Sequence, residues 1–128
     1  MKIPRHLLIL ASLLAAPMLA HANDKACLLE GSFVMMGQRL VIKDCMQNNG
    51  MPQALFVQNC QGASQAAASM GGAPAKITYL AACPTPALGR CDKLMGGPLS
   101  GHYYLQDAQA LKDTEAGCKA GGGTWRKG

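Results

Sequence analysis

Apolar and polar positions beyond residue 22 divide the chain into four regions. The first, "ACLLEGSFVMMGQRLVIKDCMQ" from Ala26, has two apolar, partly β-branched runs on either side of Met35-Met36-Gly37 and reads as a β-hairpin. A three-residue loop ending in glycine suits a type I turn followed by a bulge. Centring that turn on Met36 places Cys27 opposite Cys45, on the face shared by Leu29, Phe33 and Val41, and predicts a Cys27–Cys45 bridge. Gly31 weakens the first strand. After the turn signal Asn48-Asn49-Gly50, Pro52 is suited to open a helix and Gly71-Gly72 to close one. Phe56, Cys60, Ala63, Ala67 and Met70 recur at alternating steps of four and three, forming one buried stripe.

Lys76 to Ala81 alternates as a strand, with Ile77 and Tyr79 on one face and Thr78 and Leu80 on the other. Pro84 and Pro86 interrupt regular structure, and Cys83 with Cys91 would close this loop locally. Gly101 to Leu105 is a second short strand candidate. The segments "MGGAPAKITYL" and "MGGPLSGHYYL" agree at Met, Gly, Gly, Tyr and Leu. Two short copies in a Gly- and Ala-rich chain are better explained by chance than by a repeat architecture. The last region is helical: Asp107 caps it, Glu115 precedes Lys119 by four residues, and Gly121 to Gly123 stops it. Leu111 and Cys118 share a face of that helix. If the face packs on the earlier helix, Cys118 reaches Cys60.

The opening stretch has a different character. Lys2 and Arg5 precede an apolar run from Leu7 to about Ala16, then Pro17 and the small-residue exit Ala20-His21-Ala22. This is the pattern of a secretory signal peptide cleaved near Ala22, and the run is too short to span a bilayer, which takes roughly 20 apolar residues. Residues 1–22 are therefore expected to be removed. Residues 23–128 are left as one domain with a Gly-rich tail at 121–128, located in the periplasm or outside the cell, without a stable membrane anchor.

Charge adds little. Removing Lys2 and Arg5 leaves ten basic residues against seven acidic ones, and the ten are scattered. Nucleic acid recognition calls for a concentrated basic stripe, so no nucleic acid partner is expected. Cysteine usage says more. All six cysteines lie beyond residue 22, none in a C-x-x-C pair, and an even count in a short exported chain points to three disulfides. The predicted set is Cys27–Cys45, Cys60–Cys118 and Cys83–Cys91. The expected fold is a small disulfide-stapled α+β domain with an N-terminal hairpin, two helices and one or two further short strands.

Candidate chemistry is sparse. The one histidine beyond residue 22, His102, sits between Gly101 and Tyr103 without a serine motif to serve. No thiol remains to act as a nucleophile. Most carboxylates have basic neighbours or capping positions: Asp44 follows Lys43, Asp92 precedes Lys93, and Asp107 caps. Glu30 lacks such a role, so a carboxylate hydrolase built on Glu30 and Asp92 is a remote alternative. The glycine pairs lack the Lys-Ser/Thr of a phosphate loop. Thioethers select soft ions, so Met35, Met36, Met46 and Met51, completed by His102, are an alternative Cu(I) site. The bland reading is that these methionines fill a core. At the tail, Trp125 and Arg126 are candidate anchors for a partner. Against that, Trp125 could fold back as the largest core residue, the outcome that the rarity of a lone exposed Trp favours. The expected function is that of an exported, non-catalytic binding protein, such as an inhibitor, an immunity protein or an envelope-assembly accessory. It needs no cofactor, and its partner is a protein in the envelope or outside the cell.

Overall fold

The computed structural model describes residues 23–128; the segment read as a signal peptide, 1–22, lies outside them. The elements are β1 (Ala26–Met35), β2 (Gln38–Asn48), α1 (Gln53–Ser69), β3 (Lys76–Leu80), β4 (Gly89–Asp92), β5 (Leu99–Tyr103), α2 (Ala108–Ala120) and β6 (Thr124–Lys127). A 3-10 turn at Leu94–Gly96 joins β4 to β5. The strands form one six-stranded sheet in the order β3-β1-β2-β5-β4-β6, with antiparallel pairing throughout. This is the expected α+β class, with four strands beyond the hairpin in place of one or two.

The strand order contains a repetition. Strands β1 and β2 form a hairpin, α1 follows, and β3 returns beside β1; strands β4 and β5 form a hairpin, α2 follows, and β6 returns beside β4. The halves meet where β2 pairs with β5. Both helices end identically. The Gly72 N–H donates to Ala67 O at 3.2 Å and the Gly71 N–H to Ala68 O at 3.2 Å; Gly123 N–H donates to Cys118 O at 2.8 Å and Gly122 N–H to Lys119 O at 3.1 Å. These are Schellman ends, and each places a glycine in the left-handed region, Gly71 and Gly122, both at φ 87°. The Met-Gly-Gly match at Met70 and Met95 has no part in this repeat. Gly71 follows α1, whereas Gly96 lies in the β4–β5 turn, so the two segments occupy unrelated positions.

The hairpin turn differs from expectation by one residue. Met35 pairs with Gln38, so the loop is the two-residue Met36-Gly37 with φ of 52° and 75°, the signature of a type I′ turn. Cys27 therefore lies opposite Met46, and Cys45 opposite Leu28. Because side chains alternate along a strand, a one-residue slip moves Cys45 to the other face, and the Cys27–Cys45 bridge cannot form.

The three predicted pairings are corrected to Cys27–Cys60, Cys45–Cys83 and Cys91–Cys118. Cys27 and Cys91 look toward the helices, and each takes the cysteine of the helix above its own half. Cys60 and Cys118 stay apart because α1 packs on β1 and β3 while α2 packs on β4 and β6. Cys83 does not close a local loop to Cys91, since it meets Cys45 on the opposite face. Each bridge spans 27 to 38 residues of sequence, worth about 3–4 kcal/mol by loop entropy.

On the helix face, Phe56 and Cys60 pack with Cys27 and Leu99, and Met46, Met51, Ile77, Tyr79 and Leu94 close around them. Ala67 continues the predicted stripe onto Leu29 and Ala75; Met70, at the end of the helix, is exposed. Among the described residues the opposite face carries no helix. The β3–β4 connection crosses it instead, held by Cys45–Cys83, by the Cys83 N–H donating to Gln47 Oε1 at 2.9 Å, and by the Tyr104 hydroxyl donating to Pro84 O at 2.7 Å. Beneath it Ala26, Leu28, Cys45 and Cys83 form a small buried cluster. The Thr85–Pro86 bond in this connection is cis.

Candidate interaction surface

Strand β1 is paired with β3 only from Ala26 to Glu30, and β2 with β5 only from Asp44 to Asn48. Residues 31–43 therefore continue past the sheet as a two-stranded ribbon, roughly 15 Å long at about 3.3 Å per residue. Its base rests on the segment after α1: Gly31 lies so close to Ala75 that a Cβ would sit 3.1 Å from Ala75 Cα. Further out, every residue from Val34 to Val41 is exposed. Among these eight are Val34 at 51 %, Met35 at 48 %, Met36 at 98 %, Leu40 at 39 % and Val41 at 58 % exposure. Leu40 lies on the helix face, Val34 and Val41 on the other, so the ribbon is apolar on both sides. Its charges are Arg39 and Lys43, with no carboxylate between Gly31 and Lys43.

The two-residue turn also fixes which backbone groups are free. Met35 and Gln38 close the turn as a hydrogen-bonded pair, so the even-numbered residues of β2 face β1 and the odd-numbered ones face outward. Lys43 O accordingly accepts from the Tyr104 N–H at 3.1 Å. Arg39 and Val41 turn their N–H and C=O groups to the side where β5 has already ended.

The helix-free face carries a polar network on the second half. Asp92 Oδ2 accepts from Arg126 Nε at 2.7 Å and from an Arg90 terminal nitrogen at 3.1 Å; Oδ1 accepts from Ser100 Oγ at 3.2 Å. Arg90 Nε lies 2.8 Å from Asp92 Oδ1 but off the line of its N–H, so it contributes attraction more than a formed hydrogen bond. Asn49 extends the chain by donating to Ser100 Oγ at 2.6 Å. Burial pushes the Asp92 carboxyl up, but the hydrogen bonds from Arg126 and Arg90, the charge of Arg90 and the Ser100 hydroxyl outweigh it, and its pKa is held below the usual carboxylate range. His102, buried beside this group, is pushed down by burial and then by Arg90, with Asp92 opposing.

The expected tail is a strand, and both of its candidate anchors have partners in the fold. Trp125 stacks on Tyr103 with ring centroids 5.9 Å apart and covers Gly89, where a Cβ would collide with the indole. Arg126 is committed to Asp92. Trp125 folds back onto the sheet, as the rarity of a lone exposed Trp leads one to expect, but it stays half-buried, and Phe56, not Trp125, is the largest fully buried side chain.

The methionine set is not brought together. Met35 and Met36 are at the ribbon tip; Met46 and Met51 pack around the Cys27–Cys60 bridge on the helix face. His102 pairs with Cys45 and Arg90, and so shares their opposite face. From Gln38, beside the Met36-Gly37 turn, to Met46 is eight steps of strand, about 26 Å. Among the described residues no group of three His, Cys, Asp or Glu is placed to hold a metal ion. Glu30 on β1 and Asp92 on β4 are three strand spacings apart, about 14 Å, beyond the roughly 5–9.5 Å of paired glycosidase carboxylates.

One carboxylate is disguised by its neighbours in the sequence. Asp44 follows Lys43, but neighbours in a strand face opposite ways: Lys43 Nζ lies 5.9 Å over the Tyr104 ring, while Asp44 is on the helix face opposite Tyr103 and Leu29. Burial raises its pKa from 3.8 to about 6. It in turn adds to the effect of burial in raising the Tyr103 hydroxyl. Elsewhere on that face Met46, Met51, Leu55, Leu94, Met95 and Leu99 line a shallow groove of about 570 Å³ beside α1.

Three disulfides in a chain this small suit an oxidising compartment. Among the described residues no helix is long and apolar enough to cross a membrane. Comparison with protein-family models, with curated proteins and with solved structures returns no match.

Proposed function

We propose that this chain is a small exported binding protein whose contact element is the β1–β2 ribbon. The observation that carries this reading is the inequality of the two halves. In the second half, β4 and β5 stop where the sheet stops; in the first, the hairpin runs on through residues 31–43 and ends in eight consecutive exposed residues, five of them apolar. The repeated unit closes without such an extension, so the fold does not require it. A patch of exposed apolar side chains on a small domain marks a contact site or an aggregation hazard, and Arg39 and Lys43 guard against the latter.

Met36 supports the same reading. A type I′ turn favours Asn-Gly or Asp-Gly, and a left-handed Met costs about 1–2 kcal/mol. A side chain that is almost wholly exposed returns none of this through burial in the isolated protein. An inhibitor, an immunity protein or an assembly accessory would each use such a ribbon on a protein partner in the envelope or outside the cell.

The test is site-specific photo-crosslinking in the producing cell, with a benzophenone side chain at Met36 or Val41 and, as control, at exposed Lys112 on α2. The expected result is a discrete adduct from both ribbon positions and none from Lys112. Adducts from the α2 position alone, or none from the ribbon, would remove the reading.

A further inference from the structure

Resting on the ribbon as the contact element, we infer that the outer edge of β2 at Arg39–Val41 takes up an extended strand of the partner protein, with a carboxylate opposite Arg39 and apolar residues opposite Leu40 and Val41. The backbone supplies the affinity. Arg39 and Val41 each turn an N–H and a C=O outward, beyond the last β2–β5 pair at Asp44 and Tyr103, and all residues from Gln38 to Val41 are exposed. An incoming antiparallel strand continues the line of β5 and satisfies these four groups, the geometry of strand addition.

The side chains select the occupant. Arg39 and Val41 flank Leu40 on alternate faces, so an antiparallel strand reads, from its N-terminus, apolar-apolar-acidic against Val41, Leu40 and Arg39. Lys43 already faces Glu30 across β1, which leaves Arg39 as the outermost cation. A second copy of this chain is disfavoured by the same charges. Two-fold registers centred on Arg39, Leu40 or Val41 set Arg39 opposite or diagonal to a cation of the copy, and like charges at those positions repel. The other edge of the ribbon is less open, because Gly72 packs against Ser32 O and Phe33 Cα.

The test titrates the disulfide-intact, isotope-labelled protein with a capped peptide, Ser-Thr-Val-Ile-Glu-Thr-Ser, followed by amide chemical shifts and hydrogen exchange. Two comparison peptides replace its Glu by Lys or carry N-methyl groups on the pairing edge. The expected result is protection of the Arg39 and Val41 amides, a Kd in the millimolar range, and binding about fivefold weaker or worse for the Lys peptide. N-methylation should abolish protection. Arg39→Glu should reverse the preference between the Glu and Lys peptides while leaving the spectrum of the sheet unchanged. Equal binding of both peptides, shifts confined to other surfaces, or no binding at millimolar peptide would overturn the inference. So would concentration-dependent dimerisation protecting the same amides without peptide. Ribbon crosslinks in the cell combined with no peptide protection would keep the contact element and remove strand addition.

Discussion

Asp44→Asn should stabilise the protein at neutral pH, and the gain should disappear in acid. Asp44 sits on the helix face with its pKa raised from 3.8 to about 6 by burial. Between these values the folded chain holds a proton that the unfolded chain has released, so stability falls as pH rises through the window. About two units at roughly 1.4 kcal/mol each caps the cost near 3 kcal/mol. Asp44 is only partly closed off from water, and a discount for solvent screening brings the expected cost to about 1–2 kcal/mol. Asparagine keeps the shape and removes the charge. Urea unfolding with disulfides intact, at pH 4, 5, 6, 7 and 8, should show wild type and variant alike at pH 4 and the variant ahead by about 1–2 kcal/mol at pH 8. The difference between the two proteins is the useful quantity, because His102 titrates nearby in pH with the opposite slope. Its pKa is lowered below 6.5 by burial and then by Arg90, so its contribution is lost as pH falls, equally in both proteins. Asp92, with its lowered pKa, loses its contribution only on acidification below the ordinary carboxylate range. A variant advantage that is the same at pH 4 and pH 8, or a variant less stable at pH 8, would refute the assignment of a buried, charge-averse site.

Peptide mapping without reduction should return Cys27 joined to Cys60, Cys45 to Cys83 and Cys91 to Cys118; a Cys27–Cys45 or Cys83–Cys91 peptide would contradict the register. Gly89→Ala should cost about 1–3 kcal/mol by overpacking and red-shift the emission of Trp125, because the new methyl group would collide with the indole; unchanged emission would place the ring elsewhere. Met36→Asn should raise stability by roughly 0.5–1 kcal/mol in denaturant titration, since Asn tolerates the left-handed turn, while reducing photo-crosslinking from Val41.

The elements with local punctuation were readable in the chain. Pro52 and the glycines after Met70 bound α1, and Asp107 accepts the Ala110 N–H at 2.7 Å at the start of α2. Ile77 and Tyr79 share a face as alternation requires. What escaped was decided by geometry rather than composition. Met-Gly does not announce a type I′ turn as Asn-Gly would, and the missed residue of register carried the Cys27–Cys45 pairing with it. The strands β4 (Gly-Arg-Cys-Asp) and β6 (Thr-Trp-Arg-Lys) are too short and too charged to show an apolar alternation. Their cohesion comes from Asp92 clasping Arg90 and Arg126 and from Trp125 lying over Gly89, contacts between residues distant in sequence. Lys43 disguises its neighbour Asp44 in the sequence, although neighbours in a strand look in opposite directions. Trp125 and Arg126 stand out by residue type, whereas the exposed ribbon is visible only once the sheet shows where pairing stops.

The distribution of cross-links separates the stable part of the molecule from the part free to vary. Cys27, Cys45 and Cys91 all lie within the paired region of the sheet, and residues 31–43 hold no cysteine. The body therefore keeps its disulfides whatever the outer ribbon does, and only Ile42 and Gly31 at the ribbon base pack on a buried cluster. A two-stranded hairpin on its own is marginally stable in water, so this ribbon is the segment whose order a partner can most improve. Arg39 has two roles there. A cation on an open strand edge discourages pairing with an identical edge, and the same cation favours an incoming strand that carries a carboxylate. Repulsion of the wrong partner and selection of the right one then come from a single charge. Arg39→Ala separates this from simple protection: loss of peptide discrimination together with new self-association is expected if both roles are real, and self-association without any change in discrimination would leave only the protective one.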